Sequence, residues 1–93
     1  MPKYYPFLVA GHYLYFTSKC IVEAMHVHAS DKKLSEGNSA KFFVYADGST
    51  KVQQEGDLSD IQIKTVQRFI RENYLEMYEM WRLFGGGDFY TKP

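Results

Sequence analysis

The stretch Leu58–Phe84 reads LSDIQIKTVQRFIRENYLEMYEMWRLF, and its reading decides the fold. Ile63, Val66, Ile70, Tyr74, Met77, Trp81 and Phe84 recur at steps of three and four, which places them along one side of an α-helix. The start is well marked. Ser59 is a good N-cap, Gln62 stands where a capping box needs it, and Leu58 can staple onto Ile63. Asp57 and Asp60 add negative charge where the helix dipole favours it. Nothing stops the helix before Phe84, after which Gly85, Gly86 and Gly87 withdraw helical preference and offer a left-handed cap. One helix is therefore predicted over about 60–84, roughly 37 Å long at 1.5 Å per residue. A six-residue strand measures about 20 Å, so the end carrying Met80, Trp81, Leu83 and Phe84 is expected to overhang its sheet.

Upstream of the helix the period changes from helical to alternating. AKFFVYADGSTKVQ, residues 40–53, carries the strongest hairpin signal: Asp47 and Gly48 suit a two-residue turn joining AKFFVYA to STKVQ. MHVHA, residues 25–29, reads as another strand. FLVAGHYLYFTS is rich in aromatic and β-branched residues, with Gly11 marking a bend between one strand near Pro6–Ala10 and another near His12–Ser18. A break is expected around Lys19–Glu23, and DKKLSEGNS at 31–39 reads as a polar loop. The fold class is accordingly α+β: an antiparallel sheet of four to five short strands, about residues 6–53, packed on one long C-terminal helix, about 60–84. A single domain over 1–84 is expected, followed by a flexible Gly-rich tail, 85–93, whose two aromatics offer an alternative in which it folds back over the helix end.

Composition narrows the function. Eleven basic and eleven acidic residues cancel, so the chain lacks the positive field of a protein that grips nucleic acid electrostatically. Lys32, Lys33 and Lys41 lie close in sequence, but Asp31 and Glu36 dilute them. Cys20 is the single cysteine, which rules out an internal disulfide and a thiolate zinc cage and points to a cytoplasmic location. No segment approaches the roughly 20 apolar residues of a membrane span.

Alternation assigns the faces of the sheet. Met25, Val27 and Ala29 share one face and belong against the helix, while His26, His28 and Ser30 share the other. With Leu14, Phe16, Phe42 and Val44 inward, Tyr13, Tyr15, Phe43 and Tyr45 turn outward with Lys41. One helix covers one face, so this second face is expected to be open and to bind something. Tyr13, Tyr15, His26, His28, Phe43, Tyr45 and, at the helix end, Trp81 are the expected partner-binding residues. The expected partner is a second copy or a small partner protein, with no cofactor.

Two other classes compete. His26 and His28, some 6 to 7 Å apart on a regular strand, can reach one metal ion such as zinc, as a metal-dependent hydrolase or nuclease-like toxin would need. A third ligand must then come from His12, Glu23 or Asp31. Outward tyrosines could instead stack RNA bases. No catalytic residues are assigned. Cys20 with a histidine makes a nucleophile pair only if folding unites them, and Glu72, Glu76 and Glu79 read as solvated partners of Arg68, Arg71 and Arg82.

The order of these parts resembles a family of small bacterial proteins, domain of unknown function 4160. The resemblance is carried by His26, Val27 and His28, by Ala40, Lys41 and Phe42, by Ser59 at the helix start, and by Ile70, Asn73 and Trp81 within it. It covers roughly Tyr4 to Phe84. Departures are Glu23, Ala24 and Met25 where the family usually has prolines, a longer loop from Asp31 to Ser39, and the added GGGDFYTKP. The resemblance implies a bacterial setting beside a second small gene, in arrangements suggestive of toxin–antitoxin modules. It implies no reaction.

Overall fold

A computed structural model describes residues 3–17, 22–31 and 39–91. Among the described residues, four strands, β1 (Tyr13–Tyr15), β2 (His26–Ser30), β3 (Ala40–Val44) and β4 (Thr50–Gln54), precede one helix, α1 (Asp60–Leu83). The strands form one antiparallel sheet in the order β1-β2-β3-β4, packed against α1, so the α+β architecture is as expected. The helix start behaves as its sequence dictates. Ser59 Oγ accepts the Gln62 N–H and the Gln62 side chain accepts the Ser59 N–H, closing both halves of the capping box. Leu58 and Ile63 both enter the apolar core with Val66, Ile70, Met77 and Trp81.

Register follows from which side chains must be buried. Leu14 lies opposite Ala29, Val27 opposite Phe42, and Phe42 opposite Val52, so the apolar members share the helix side. Tyr15 opposite His28, and His26 opposite Phe43, share the other.

Two local expectations change. The segment before Gly11 is no regular strand: it is held by isolated bridges, Lys3 with Tyr15 and Val9 with His12, around a tight turn where Ala10 and Gly11 both have positive φ, 52° and 76°. The hairpin loop holds three residues rather than two. Tyr45 N–H donates to Ser49 O and Gly48 N–H to Tyr45 O, so Ala46, Asp47 and Gly48 form the loop and Gly48 alone takes positive φ, 88°. Asp47 Oδ1 accepts from both the N–H and the hydroxyl of Ser49, and these bonds hold its carboxyl below the usual range. An extra residue in the loop costs little once Asp47 satisfies the turn amide. The expected break at Lys19–Glu23 and the polar loop at 31–39 fall largely outside the described residues, as does Cys20.

Gly48 is required twice over. Besides its φ, a Cβ there would stand 2.6 Å from Tyr74 Cδ1 on the helix. Gly48→Ala is expected to destabilise by about 2 kcal/mol, the sum of a left-handed penalty and a ring that must shift. Chemical denaturation of the two proteins checks this, and an unchanged midpoint would show that the loop does not touch Tyr74.

The segment after α1 folds back, the alternative that its two aromatics offered. Gly85 N–H donates to Arg82 O and Gly86 N–H to Trp81 O, with Gly85 at φ 91°: this is a Schellman cap, and it reverses the chain. Residues 87–91 then run back along the end of the sheet. Asp88 O accepts from Met25 N–H, Tyr90 N–H donates to Val44 O, and Tyr90 bridges Tyr45 in parallel. The tail is docked rather than free. Among the described residues, no helix is long and apolar enough to cross a membrane.

Candidate functional site: a closed histidine and aromatic layer

His26 and His28 stand on the face away from α1, but that face is not open. His26 is 0% exposed and His28 8%, and Tyr15, opposite His28 on β1, is 0% exposed. The expectation of two accessible imidazoles is corrected on this point: alternation set their side of the sheet correctly and gave no account of what covers it. The His26 and His28 rings lie edge to face with centroids 5.1 Å apart. His28 stacks on Tyr15 at 5.4 Å, and His26 packs against Phe43 at 5.6 Å and Trp81 at 5.4 Å.

Over Phe43, Tyr45 and His26 the cover comes from the returning tail and the end of the helix. Tyr90 stacks on Phe43 at 4.2 Å and meets Tyr45 edge-on at 5.4 Å, leaving Phe43 nearly buried and Tyr45 half-buried. Phe89 stacks on Tyr78 at 3.9 Å. Trp81, expected to overhang and meet a partner, is 0% exposed. Its ring seals the sheet end against Phe16 and His26, and its Nε1–H donates to Gly87 O at 2.9 Å. Tyr13 is half-buried beneath Lys3, whose Nζ sits 4.0 Å from the ring centre. The platform that base stacking would need is thus occupied by the protein itself.

Three polar contacts within the layer are local. His26 Nδ1 lies 2.9 Å from Ala24 O, and because a carbonyl only accepts, Nδ1 carries the proton. His28 Nδ1 lies 3.3 Å from Ser39 Oγ, in hydrogen-bond range. Tyr4 O–H donates to His26 O. A metal on His26 would have to use Nε2. It would also need further ligands, and among the described residues no group of three or more His, Cys, Asp or Glu is placed to share an ion. His12 donates its Nδ1–H to Ala10 O, away from the pair, and Glu23 is engaged elsewhere.

That engagement is an ion pair at the rim. Lys41 Nζ donates to Glu23 Oε1 at 2.9 Å and lies 4.9 Å from the Phe43 ring. The hydrogen bond from Lys41 pulls the Glu23 carboxyl below its ordinary 4.5 against the opposing effect of burial, and the charge on Lys41 adds to it. Since the folded value is depressed, the pair stabilises the fold above about pH 4.5 and is lost as pH falls through the folded value. Glu23 is 45% exposed at its side chain, so solvent limits the gain to under about 1 kcal/mol. Melting temperatures of the wild type and Glu23→Gln should differ slightly at neutral pH and converge once the carboxyl is protonated. A gap that persisted in acid would assign the effect to packing instead.

On the helix exterior, the expected Arg68 and Glu72 pair does not form. The described ion pairs are Lys41 with Glu23 and Arg82 with Asp88. Glu76 instead accepts the hydroxyl of Tyr5, which pins the N-terminal segment to α1. Burial together with Glu76 raises the Tyr5 phenol well above its usual range. The two tail aromatics, whose fold-back was the alternative reading of the sequence, divide between the faces: Tyr90 caps Phe43 and Phe89 packs on Tyr78 of the helix.

Fold and layer together define a small α+β domain whose sheet packs on a helix and whose buried histidine layer is capped at one end by the segment after that helix. Residues 11–82 match the family model described as Domain of unknown function (DUF4160), and the chain belongs to that family. No curated protein and no solved structure matches it. The covering segment 85–91 lies beyond the matched residues.

Proposed function

We propose that this domain works by association with another protein chain, through the open edge of its sheet rather than through the aromatic face, and that the histidine pair serves its own interior. The observation that carries this reading is the difference between the two sheet edges. β1 is flanked by the N-terminal segment, where Tyr4 N–H donates to Leu14 O and Lys3 bridges Tyr15. β4 has β3 on one side and, among the described residues, no strand on the other. Backbone alternation aims specific groups outward there. Tyr45 N–H bonds to Ser49 O and Val44 N–H to Met25 O, so Phe43 bonds toward Lys51, and the N–H and C=O of Thr50 and Val52 face away from the sheet. Such groups accept an added strand from another chain.

The lone cysteine suits a reducing cytoplasm, and the two-gene arrangement implied by the family resemblance supplies a setting in which a small protein or a second copy is the partner. No residue is assigned a catalytic role. The test is Thr50→Pro, which removes an outward N–H at the first residue of an edge strand and no bond within the sheet. The variant is expected to keep its cooperative melt and to lose co-purification with the product of the neighbouring small gene. A complex that survives the substitution would overturn the assignment to β4.

A further inference from the structure

Beside the first residues of β4 lies a groove of about 300 Å³ lined by Ser49, Thr50, Lys64, Gln67, Arg68 and Arg71. Every charged side chain on its wall is cationic, and none of the three is in either described ion pair. Positions 64, 68 and 71 share one helix stripe and span about 10 Å along the axis. In a chain of zero formal charge this concentration is local. Its counterpart is just past the other end of the same strand, where Glu55 and Asp57 are exposed.

Among the described residues β4 is therefore an edge strand with a positive groove at its start and two carboxylates beyond its finish. A two-fold antiparallel pairing of such an edge sets the start of each strand against the finish of the other. We propose that the occupant of the β4 edge is a second copy of this chain, paired antiparallel about Val52, with Glu55 and Asp57 of each copy seated in the Lys64, Arg68 and Arg71 groove of the other. This rests on the reading of β4 as the association edge and names its occupant. The register follows from the backbone, because the groups of Val52 face outward and can be exchanged with those of Val52 in the second copy.

Two features of β4 make charge the selector. Lys51 on the edge, and a bulge where the register shifts against Lys41 and Phe42, discourage indiscriminate strand addition. A second copy arrives with the complementary carboxylates just past the end of the same strand. Attraction of this kind is screened by salt, so the dimer should weaken as ionic strength rises.

Sedimentation velocity on the full chain tests the proposal with four proteins: wild type, Thr50→Pro, the groove variant Lys64→Glu/Arg68→Glu/Arg71→Glu, and the loop variant Glu55→Lys/Asp57→Lys. Wild type should self-associate and do so less in high salt. Thr50→Pro should be monomeric, and each charge variant alone should dimerise roughly tenfold or more weakly. The two charge variants are altered at exposed positions, and mixed together they should form a heterodimer, since both of its grooves then face opposite charge. A wild type that stays monomeric to millimolar concentration overturns self-pairing and leaves the edge reading to its own test. A dimer lost in Thr50→Pro but indifferent to both charge variants overturns the seating of Glu55 and Asp57 while supporting the edge. A dimer untouched by Thr50→Pro overturns both.

Discussion

Gly86→Ala is expected to destabilise the domain by about 2–3 kcal/mol, more than any other single methyl added to the chain's described glycines. Gly86 is buried, and a Cβ built on it would stand 2.3 Å from both Nε1 and Cε2 of Trp81, where real Cβ atoms do not go. The indole cannot yield easily. Phe16 and His26 flank its ring, and its N–H is committed to Gly87 O. The substitution must therefore either tear the tail from the sheet end or push Trp81 out of its seat. For a domain of this size the loss corresponds to a melting temperature lower by roughly 10–20 °C. Because Trp81 is the single tryptophan, its fluorescence reports the same event: emission should shift toward the red and become easier to quench. A stable variant with unchanged emission would show that the tail does not cross the ring.

Trp81→Ala is expected to cost more, about 3–5 kcal/mol, because it removes the largest fully buried side chain and leaves a cavity between the helix end and the sheet. It also strips Gly87 O of its donor. Against the 5–15 kcal/mol typical of a folded domain, this brings the protein near its unfolding threshold at body temperature. The two substitutions should not add. With the indole gone, the Cβ at position 86 has room, so Gly86→Ala in the Trp81→Ala background should be close to neutral, giving a coupling of about 2 kcal/mol. Urea titration of the four proteins of this cycle measures it. Simple additivity would place the damage of Gly86→Ala somewhere other than the indole.

These two residues also mark where the sequence was readable and where it was not. The start of α1 is written in neighbours: Ser59 and Gln62 cap each other across three residues, and no distant contact is needed to see it. The faces of the strands are likewise local, since alternation alone separates Val27 and Phe42 from His26 and Phe43. What alternation lacks is any statement of cover. His26 looked accessible because one helix can lie on one face, and part of the second cover came from a segment whose fold-back was only the alternative reading. Glycine runs suggest freedom by propensity, yet here Gly85 supplies the left-handed cap and Gly86 the clearance beneath an indole. Both needs are set by partners that only the fold brings near. The hairpin loop was misjudged by one residue for a related reason: Asp47 and Gly48 permit a two-residue turn, but the Asp47 carboxylate binding Ser49 favours the three-residue one.

The charge pattern around β4 was legible as residues and not as a groove. Lys64, Arg68 and Arg71 read as a solvated helix face. The antiparallel run of α1 beneath β4 is what sets them beside Ser49 and Thr50.

Native-state hydrogen exchange, read amide by amide in dilute protein, tests most directly the claim that the chain closes its own second face and leaves β4 as the free edge. The amides of Tyr90 and Met25, which bond to Val44 O and Asp88 O, should be protected nearly as well as that of Val44, while those of Thr50 and Val52 should exchange as solvent-exposed groups. Tyr90 and Met25 exchanging at the rate of a free tail, with Thr50 and Val52 protected, would contradict it.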